Sequence, residues 1–218
     1  MSTLQLPPGL KHDGPLVEAS CGGEPGPWLE HGKVKLYTNA FVIINDARIL
    51  LGYKKRGFGA GLWNGFGGKV DAGETSAQAA VRELEEEAGI TAPLAHCGTL
   101  FFVLEGSEHA FHIDIFRADE FTGDVTESEE MRPQWHAIQD ALFPLHTRRA
   151  VSAEAAAGAA GLPEIPLTNM WPDDKHWLPI MFARRRFVGR ADFAADGRMY
   201  KWWFAAEPPV AAAGADEA

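Results

Sequence analysis

The chain has 218 residues, 46% of them hydrophobic, and a formal net charge of −10. That suits a single domain with a sizeable core. The acidic balance excludes a nucleic-acid polymer as the main ligand, because such binding rests on basic patches that neutralise phosphates, but it leaves room for one nucleotide held through a cation. Two cysteines, Cys21 and Cys97, form neither a disulfide framework nor a metal spacing. Free thiols in a reducing, cytoplasmic compartment are expected. No apolar run reaches the length of a membrane span, and the first residues lack the basic start and apolar block of a signal peptide. Neither a membrane nor a nucleic-acid polymer is expected as a partner, and a monomer is.

Residues 1–33 carry Pro7-Pro8-Gly9, Gly22-Gly23 and Pro25-Gly26-Pro27 with no periodicity, which predicts a mostly irregular extension pinned at its end by Trp28 and Leu29. Residues 34–205 are expected to form the domain, and the alanine- and acid-rich 206–218 a disordered tail. A strand is predicted over 34–44, a turn at Asn45-Asp46, and a returning strand over 48–53. The following loop, Lys54 through Trp63, is both basic and glycine-rich, and contact with phosphate is the favoured reading of it.

The next stretch, 68–90, is the most informative. Thr75-Ser76-Ala77-Gln78 has the form of a capping box and starts a helix near Ser76; Gly89 suits the left-handed stop after it. Ala77, Ala80, Val81, Leu84 and Ala88 share an apolar face, with Glu83, Glu86 and Glu87 beside it. Each like-charge pair costs an isolated helix about 0.2–0.5 kcal/mol. By itself the run reads either as a solvated acidic face or as a site for a hard divalent cation. Oxygen-only ligands point to Mg2+ or Mn2+ rather than zinc. The preceding Asn64-Gly65-Phe66-Gly67-Gly68-Lys69 lets backbone approach the helix, so that a carbonyl can join such a shell.

Further strands are predicted within 93–104, centred on 99–104, then over 111–117 and 133–138, with an acidic, turn-rich 121–130 between them and a helical turn at 139–143. Residues 144–166 break the composition; AEAAAGAAG at 153–161 has little to bury, and a weakly coupled surface insertion is expected. Met170-Trp171-Pro172-Asp173-Asp174 opens a second helix with Trp177, Leu178, Met181 and Phe182 as its apolar stripe and Arg184-Arg185-Arg186 as a solvated basic end. A hairpin around Asp196-Gly197 joins 187–193 to 199–204. His31, His96 and His112 lack a partner at ligand spacing and read as structural or exposed. Strands around two helices make an α/β protein with a mixed sheet.

Gly68, Glu74, Arg82, Glu83, Leu84, Glu86, Glu87, Gly89 and Ile90 match every specified position of the Nudix box, so the chain resembles the Nudix hydrolases. The resemblance implies an α/β/α sandwich, and hydrolysis of a diphosphate linked to another moiety with Mg2+. Glu83, Glu86 and Glu87 would hold the metal and the attacking water, Arg82 would orient a glutamate, and Gly67 would lend its carbonyl. Outside the box, KKRGFGAGLWNGFGGKV (54–70), Glu130-Met131-Arg132-Pro133 with Trp135, and MWPDD with Trp177 resemble the branch of that family acting on oxidised purine nucleoside triphosphates. That branch implies 8-oxo-dGTP and 2-hydroxy-dATP as substrates, cut to the monophosphate and pyrophosphate. It implies Asn64, Asp173 and Asp174 at the base edge, Trp171 stacked on the base, Phe58, Phe102 and Thr38 lining the pocket, Lys54 near sugar and phosphate, and Glu130 in the outer metal shell. Asn39 and Leu104 depart from it, standing where an apolar and an aromatic residue are implied. Without the branch, the box alone also fits a dinucleotide or nucleotide-sugar substrate, or a nucleotide sensor without turnover.

Overall fold

The computed structural model describes residues 4–142 and 151–209. The strands are β1 (Val17–Gly23), β2 (Lys33–Ile44), β3 (Arg48–Lys54), β4 (Trp63–Asn64), β5 (Ile90–Thr91), β6 (Ala95–Leu104), β7 (His109–Ala118), β8 (Thr122–Gly123), β9 (Met131–Ala137), β10 (Phe187–Phe193) and β11 (Met199–Ala206). The α-helices are α1 (Ser76–Ala88), α2 (Ala153–Ala159) and α3 (Asp174–Phe182). Nine strands form one sheet in the order β1-β11-β10-β6-β7-β2-β3-β4, with β9 also paired to β3. The pairs β2–β7 and β6–β10 are parallel, while β6–β7 and β10–β11 are antiparallel, so the sheet is mixed. Among the described residues no helix is long and apolar enough to cross a membrane.

Strand periodicity explains how one sheet serves two helices. Along β2, Phe41 and Ile43 point to one face and pack with Trp177, Leu178, Met181 and Phe182 of α3. Ala40 and Val42 point to the other and pack with Ala80 and Leu84 of α1. Burying side chains of this size stabilises by about 1.5–3 kcal/mol each. Helix α1 begins where its capping box predicts: Gln78 N–H donates to Thr75 Oγ1 at 3.3 Å, and Thr75 N–H donates to Gln78 Oε1 at 2.9 Å. It ends at Gly89, whose φ of 72° is left-handed and whose N–H donates to Glu85 O.

Three expectations need correction. The first 33 residues are not merely irregular, since β1 lies antiparallel to β11 and makes the edge of the sheet. Leu10 is buried with Phe101, Val103, Val188 and Trp203, and Leu16, Trp28 and Leu29 pack against them. A fully buried ion pair fastens this segment. Arg190 Nε lies 2.8 Å from Asp192 Oδ1. The same guanidinium donates to the carbonyls of Pro8 and Leu29, each at 2.7 Å, and Leu29 N–H donates to Asp192 Oδ2 at 2.6 Å. Sequence pattern misses the segment because it is held through backbone groups rather than through a periodic apolar face.

The alanine-rich insertion is anchored at its far end. Ala137 N–H donates to Pro163 O at 2.8 Å, His136 Nδ1 lies 2.9 Å from Glu164 O, and Ile165 is buried in the α3-side core. Weak coupling therefore does not extend to 163–166, and Ala155 of α2 is buried as well. Residues 144–150 of the expected insertion, and residue 143 of the expected helical turn, lie outside the described residues. The basic end of α3 is not simply solvated either: Arg184 donates to Asp119 Oδ2 at 2.6 Å and to Asp46 Oδ1 at 2.9 Å, and Arg185 Nε donates to Glu207 O.

Arg190→Met leaves Asp192 buried without its partner, and removing one member of such a pair costs about 3–5 kcal/mol. Denaturant unfolding is expected to show that loss, and Arg190→Met/Asp192→Leu to recover most of it. An unchanged midpoint in the single variant would mean that this pair does not fasten the N-terminal segment.

Candidate active site

A cavity of about 480 Å³ opens on the α3 face of the sheet. Its base is set by the start of α3. Asp173 and Asp174 are 1% and 2% exposed, because the apolar stripe of α3 draws the helix start down with it. Trp177 Nε1–H donates to Asp173 Oδ2 at 2.9 Å, and Trp171 N–H donates to Asp174 Oδ2 at 3.0 Å. Asp173 Oδ1 is buried and receives no hydrogen bond among the described residues. Burial pushes the Asp173 carboxyl up to about 6. Burial, then the neighbouring Asp173 charge, pushes Asp174 well above the ordinary carboxylate range. Both shifts push the pair toward holding a proton, and with it a donor beside its acceptors.

Aromatic rings stand over this polar base. Phe58, 61% exposed, stacks on Trp171 at 5.1 Å between centroids and on Phe111 at 5.8 Å. Phe102, on β6, meets Phe193 edge-on at 5.4 Å, and Leu104 lies two residues further along the same strand and also lines the cavity. Thr38 and Asn39 of β2 and Asn64 of β4 complete the polar wall; the Thr38 hydroxyl is buried without a hydrogen bond among the described residues. Phe111 was legible only as one face of a predicted strand. Its place in the stack depends on β7 lying beside β2.

The cavity leads to the acidic edge of α1 through Lys54 and Glu130, which line it together with Gly67 and Gly68. Glu87 is buried. Gly67 N–H donates to its Oε2 at 2.8 Å, and Lys54 Nζ lies 3.6 Å from its Oε1. Burial, with the charges of Glu83 and Glu130 adding, pushes the Glu87 carboxyl up to about 7 against the opposing pull of Lys54 and the Gly67 N–H. Glu83 is raised too, by burial first. Lys54 Nζ also lies 2.8 Å from Glu130 Oε1. Arg82 donates to Glu74 at 2.7 Å, to Glu83 at 2.9 Å and to Glu86 at 3.3 Å. Those carboxylates hold the guanidinium firmly protonated. Glycine is required in the facing loop: a Cβ at Gly68 would overlap the Glu83 carboxylate, and one at Gly67 would overlap Thr38 O.

Glu83, Glu87 and Glu130 thus share one electrostatic field, and the Glu86 charge also acts on Glu83 although its side chain is 60% exposed and turned to Arg82. Among the described residues no three His, Cys, Asp or Glu side chains are gathered into a finished cation site. The donor chemistry nevertheless fits a hard divalent cation, being all carboxylate oxygen with a glycine backbone alongside. The rest of the basic loop faces acids: Lys55 Nζ lies 2.7 Å from Glu127 Oε1, and Arg56 lies within 4 Å of Glu129 and Glu130. Away from the cavity, His96 and His112 both approach Asp114 Oδ1, at 3.5 and 3.2 Å, a partner that sequence spacing did not reveal.

The sequence profile of the NUDIX domain matches residues 35–156, which contain α1 and its glycine loop. This chain belongs to the Nudix family. It is 42% identical over 153 residues to the oxidized purine nucleoside triphosphate hydrolase of Danio rerio, covering 70% of this chain and 83% of that one. Against the protein of the same name from Mus musculus it is 41% identical over 160 residues, covering 73% and 86%. The crystal structure of a mutator MutT protein from Bacillus halodurans superposes with a TM-score of 0.57 at 24% identity, covering 78% of this chain and 97% of that one, a likeness of fold. Nudix hydrolases work with divalent metals such as Mg2+. The Nudix segment carries the acidic helix, while Trp171, Asp173 and Asp174 lie beyond its matched residues.

Because the folded pKa of Asp173 lies above that of an unfolded carboxylate, the folded state binds this proton more tightly. Its contribution to stability is fully present below the ordinary carboxylate pKa and is lost as pH rises through about 6. Asp173→Asn should therefore melt higher than the parent at pH 8, with the gap closing toward pH 4. A pH-independent difference in Tm would show that this carboxyl titrates normally.

Proposed function

We propose that this Nudix enzyme hydrolyses oxidised purine nucleoside triphosphates, of the 8-oxo-dGTP and 2-hydroxy-dATP class, to the monophosphate and pyrophosphate, and so clears damaged precursors from the nucleotide pool. The observation that carries the reading is the buried Asp173–Asp174 pair beside Trp171, facing Asn64 across an aromatic cavity. The relatives named for that activity, 41–42% identical over most of their length, support it. The net charge of −10 supports a free nucleotide over a nucleic-acid polymer. The reading takes the enzyme to be a monomer acting in the cytoplasm.

In this reading the base stacks on Trp171, with Phe58, Phe102 and Thr38 lining the pocket around it. Stacking of this kind contributes about 1–3 kcal/mol per base. The edge of the base meets Asn64, Asp173 and Asp174. Because the aspartate pair keeps a mobile proton, it meets either a keto or an amino group with the matching partner. A normal purine with a mismatched edge leaves a buried polar group unpaired, at about 1–3 kcal/mol. The triphosphate extends past Lys54 toward α1. Glu83, Glu86, Glu87 and Glu130, with the Gly67 carbonyl, would hold Mg2+. The cation supplies charge neutralisation on the phosphates and lowers the pKa of the attacking water. Gly67 N–H orients Glu87 to receive the proton of that water, and Arg82 holds Glu83 in place.

A screen for nucleoside monophosphate release with Mg2+ tests the reading across oxidised purine, ordinary, dinucleotide and nucleotide-sugar substrates. Oxidised purine triphosphates are expected to be turned over best. Faster release from a dinucleotide or nucleotide sugar would overturn the assignment, and no turnover of any substrate would make the domain a sensor. Glu87→Gln is expected to lower kcat by orders of magnitude with the fold retained by circular dichroism. Near-parental kcat would return α1 to a solvated acidic face.

A further inference from the structure

We propose that Asn39 is a specificity-determining residue that occupies the acceptor of Asn64, so that Asn64 meets a bound purine only as a donor. The inference rests on the substrate reading above and adds a residue to it. Gly65 N–H donates to Asn64 Oδ1 at 2.9 Å. A backbone N–H needs an acceptor, so this bond establishes which end of the Asn64 carboxamide is oxygen. Asn39 Nδ2 donates to that same oxygen at 2.8 Å, which settles the orientation of the Asn39 carboxamide in turn. A carboxamide oxygen has two lone pairs, and both are now engaged. What Asn64 has left for a ligand is its own Nδ2, a pure donor.

Asn39 Oδ1, the other end of the pair, is buried with no hydrogen bond among the described residues. A buried acceptor left unmade is costly. The arrangement is built rather than incidental. A Cβ on Gly65 would overlap Asn39 Oδ1, so only glycine allows the backbone donor and both carboxamides to fit. Asn39 and Asn64 line the same cavity as Asp173 and Asp174. The pocket therefore has two edges of different character. The aspartate pair can exchange donor for acceptor by moving a proton. The asparagine pair cannot: it offers a donor from Asn64, in a set place.

A purine that turns a keto oxygen or bare ring nitrogen toward Asn64 is matched, and one that turns an amino group there is not. Asn39→Leu releases one lone pair of Asn64 Oδ1 and removes the unpaired acceptor, so Asn64 can then answer either pattern. The test is calorimetric titration, without metal, of the monophosphates of oxidised guanine and oxidised adenine against parent, Asn39→Leu and the smaller Asn39→Val, neither of which carries a side-chain donor. The ratio of the two Kd values is expected to move by about tenfold in both variants, since a site built to hydrogen-bond rejects a mismatched edge strongly. A side-chain amide NMR spectrum of the unliganded parent should also show one Asn39 N–H shifted and protected, as expected for a donor to Asn64, even if a variant does not fold. A ratio unchanged in both variants, in a parent that hydrolyses oxidised purine triphosphates, overturns this inference and leaves the function standing. A parent that neither binds nor hydrolyses any purine nucleotide overturns both.

Discussion

Taking carboxyl groups out of water is the constraint to which the rest of this structure answers. A buried carboxylate must find a cation, a set of hydrogen-bond donors, or a proton. Asp192 finds the first, as it is fully buried against Arg190 and binds the N-terminal segment to the sheet. Asp173 and Asp174 have one donor each from the indole and backbone of two tryptophans, and no cation, and so are driven toward the protonated form. Glu87 stands between these cases, with a backbone donor from Gly67 and Lys54 at 3.6 Å, yet is still raised by burial. Three answers to one cost give a fastener and, in the proposed reading, a base-reading edge and a reactive edge.

The sheet keeps the last two apart while joining them. Helix α1 packs on the face presented by Ala40 and Val42, and α3 on the face presented by Phe41 and Ile43. A substrate spanning both must therefore pass the glycine loop between Asn64 and Lys69, which crosses near β2. Phe66 and Gly68 accept from the N–H groups of Ala40 and Thr38, and Gly67 sends its own N–H to Glu87. Glycine at 67 and 68 allows this approach, since a side chain at either would displace Thr38 or Glu83. In the proposed reading, one loop thus sets the distance between the place where a base is read and the place where a phosphate bond is cut.

The pocket combines rigid and adjustable recognition. Carboxamides cannot change protonation, so the Asn39–Asn64 pair presents one pattern. The aspartate pair has a proton to move. In the proposed reading, two oxidised bases with different edges share the adjustable side while the rigid side still excludes a wrong orientation. Phe58, largely exposed and stacked on Trp171 and Phe111, closes the aromatic side without contributing to the core.

Local elements were legible in the amino-acid order because local forces make them. Thr75 and Gln78 cap α1, Gly89 stops it, and richness in Val, Ile, Tyr and Phe along 34–44 and alternation along 111–117 mark β2 and β7. The box residues fall at spacings that a helix and its loop require, so the family was readable without coordinates. What the chain order could not convey is what distant residues do to one another. Strand β1 shows no apolar pattern, as six of its seven residues are exposed, and it exists through its backbone pairing with β11. Pro163–Ile165 looks like the end of a loose insertion, and the carbonyls of Pro163 and Glu164 that tie it to β9 carry no sequence signature. Adjacent aspartates at a helix start look like solvated charge. Their protonation is decided by the burial that α3 acquires only when Trp177, Leu178 and Met181 dock on the sheet. Asn39 reads as a departure from an apolar position, and only the fold, by placing Gly65 and Asn64 against it, turns that departure into a hydrogen-bonding pattern. Periodicity and capping act over a few residues and are written in the order of the chain. Desolvation and the pairing of buried polar groups depend on which surfaces meet, and the tertiary structure decides that.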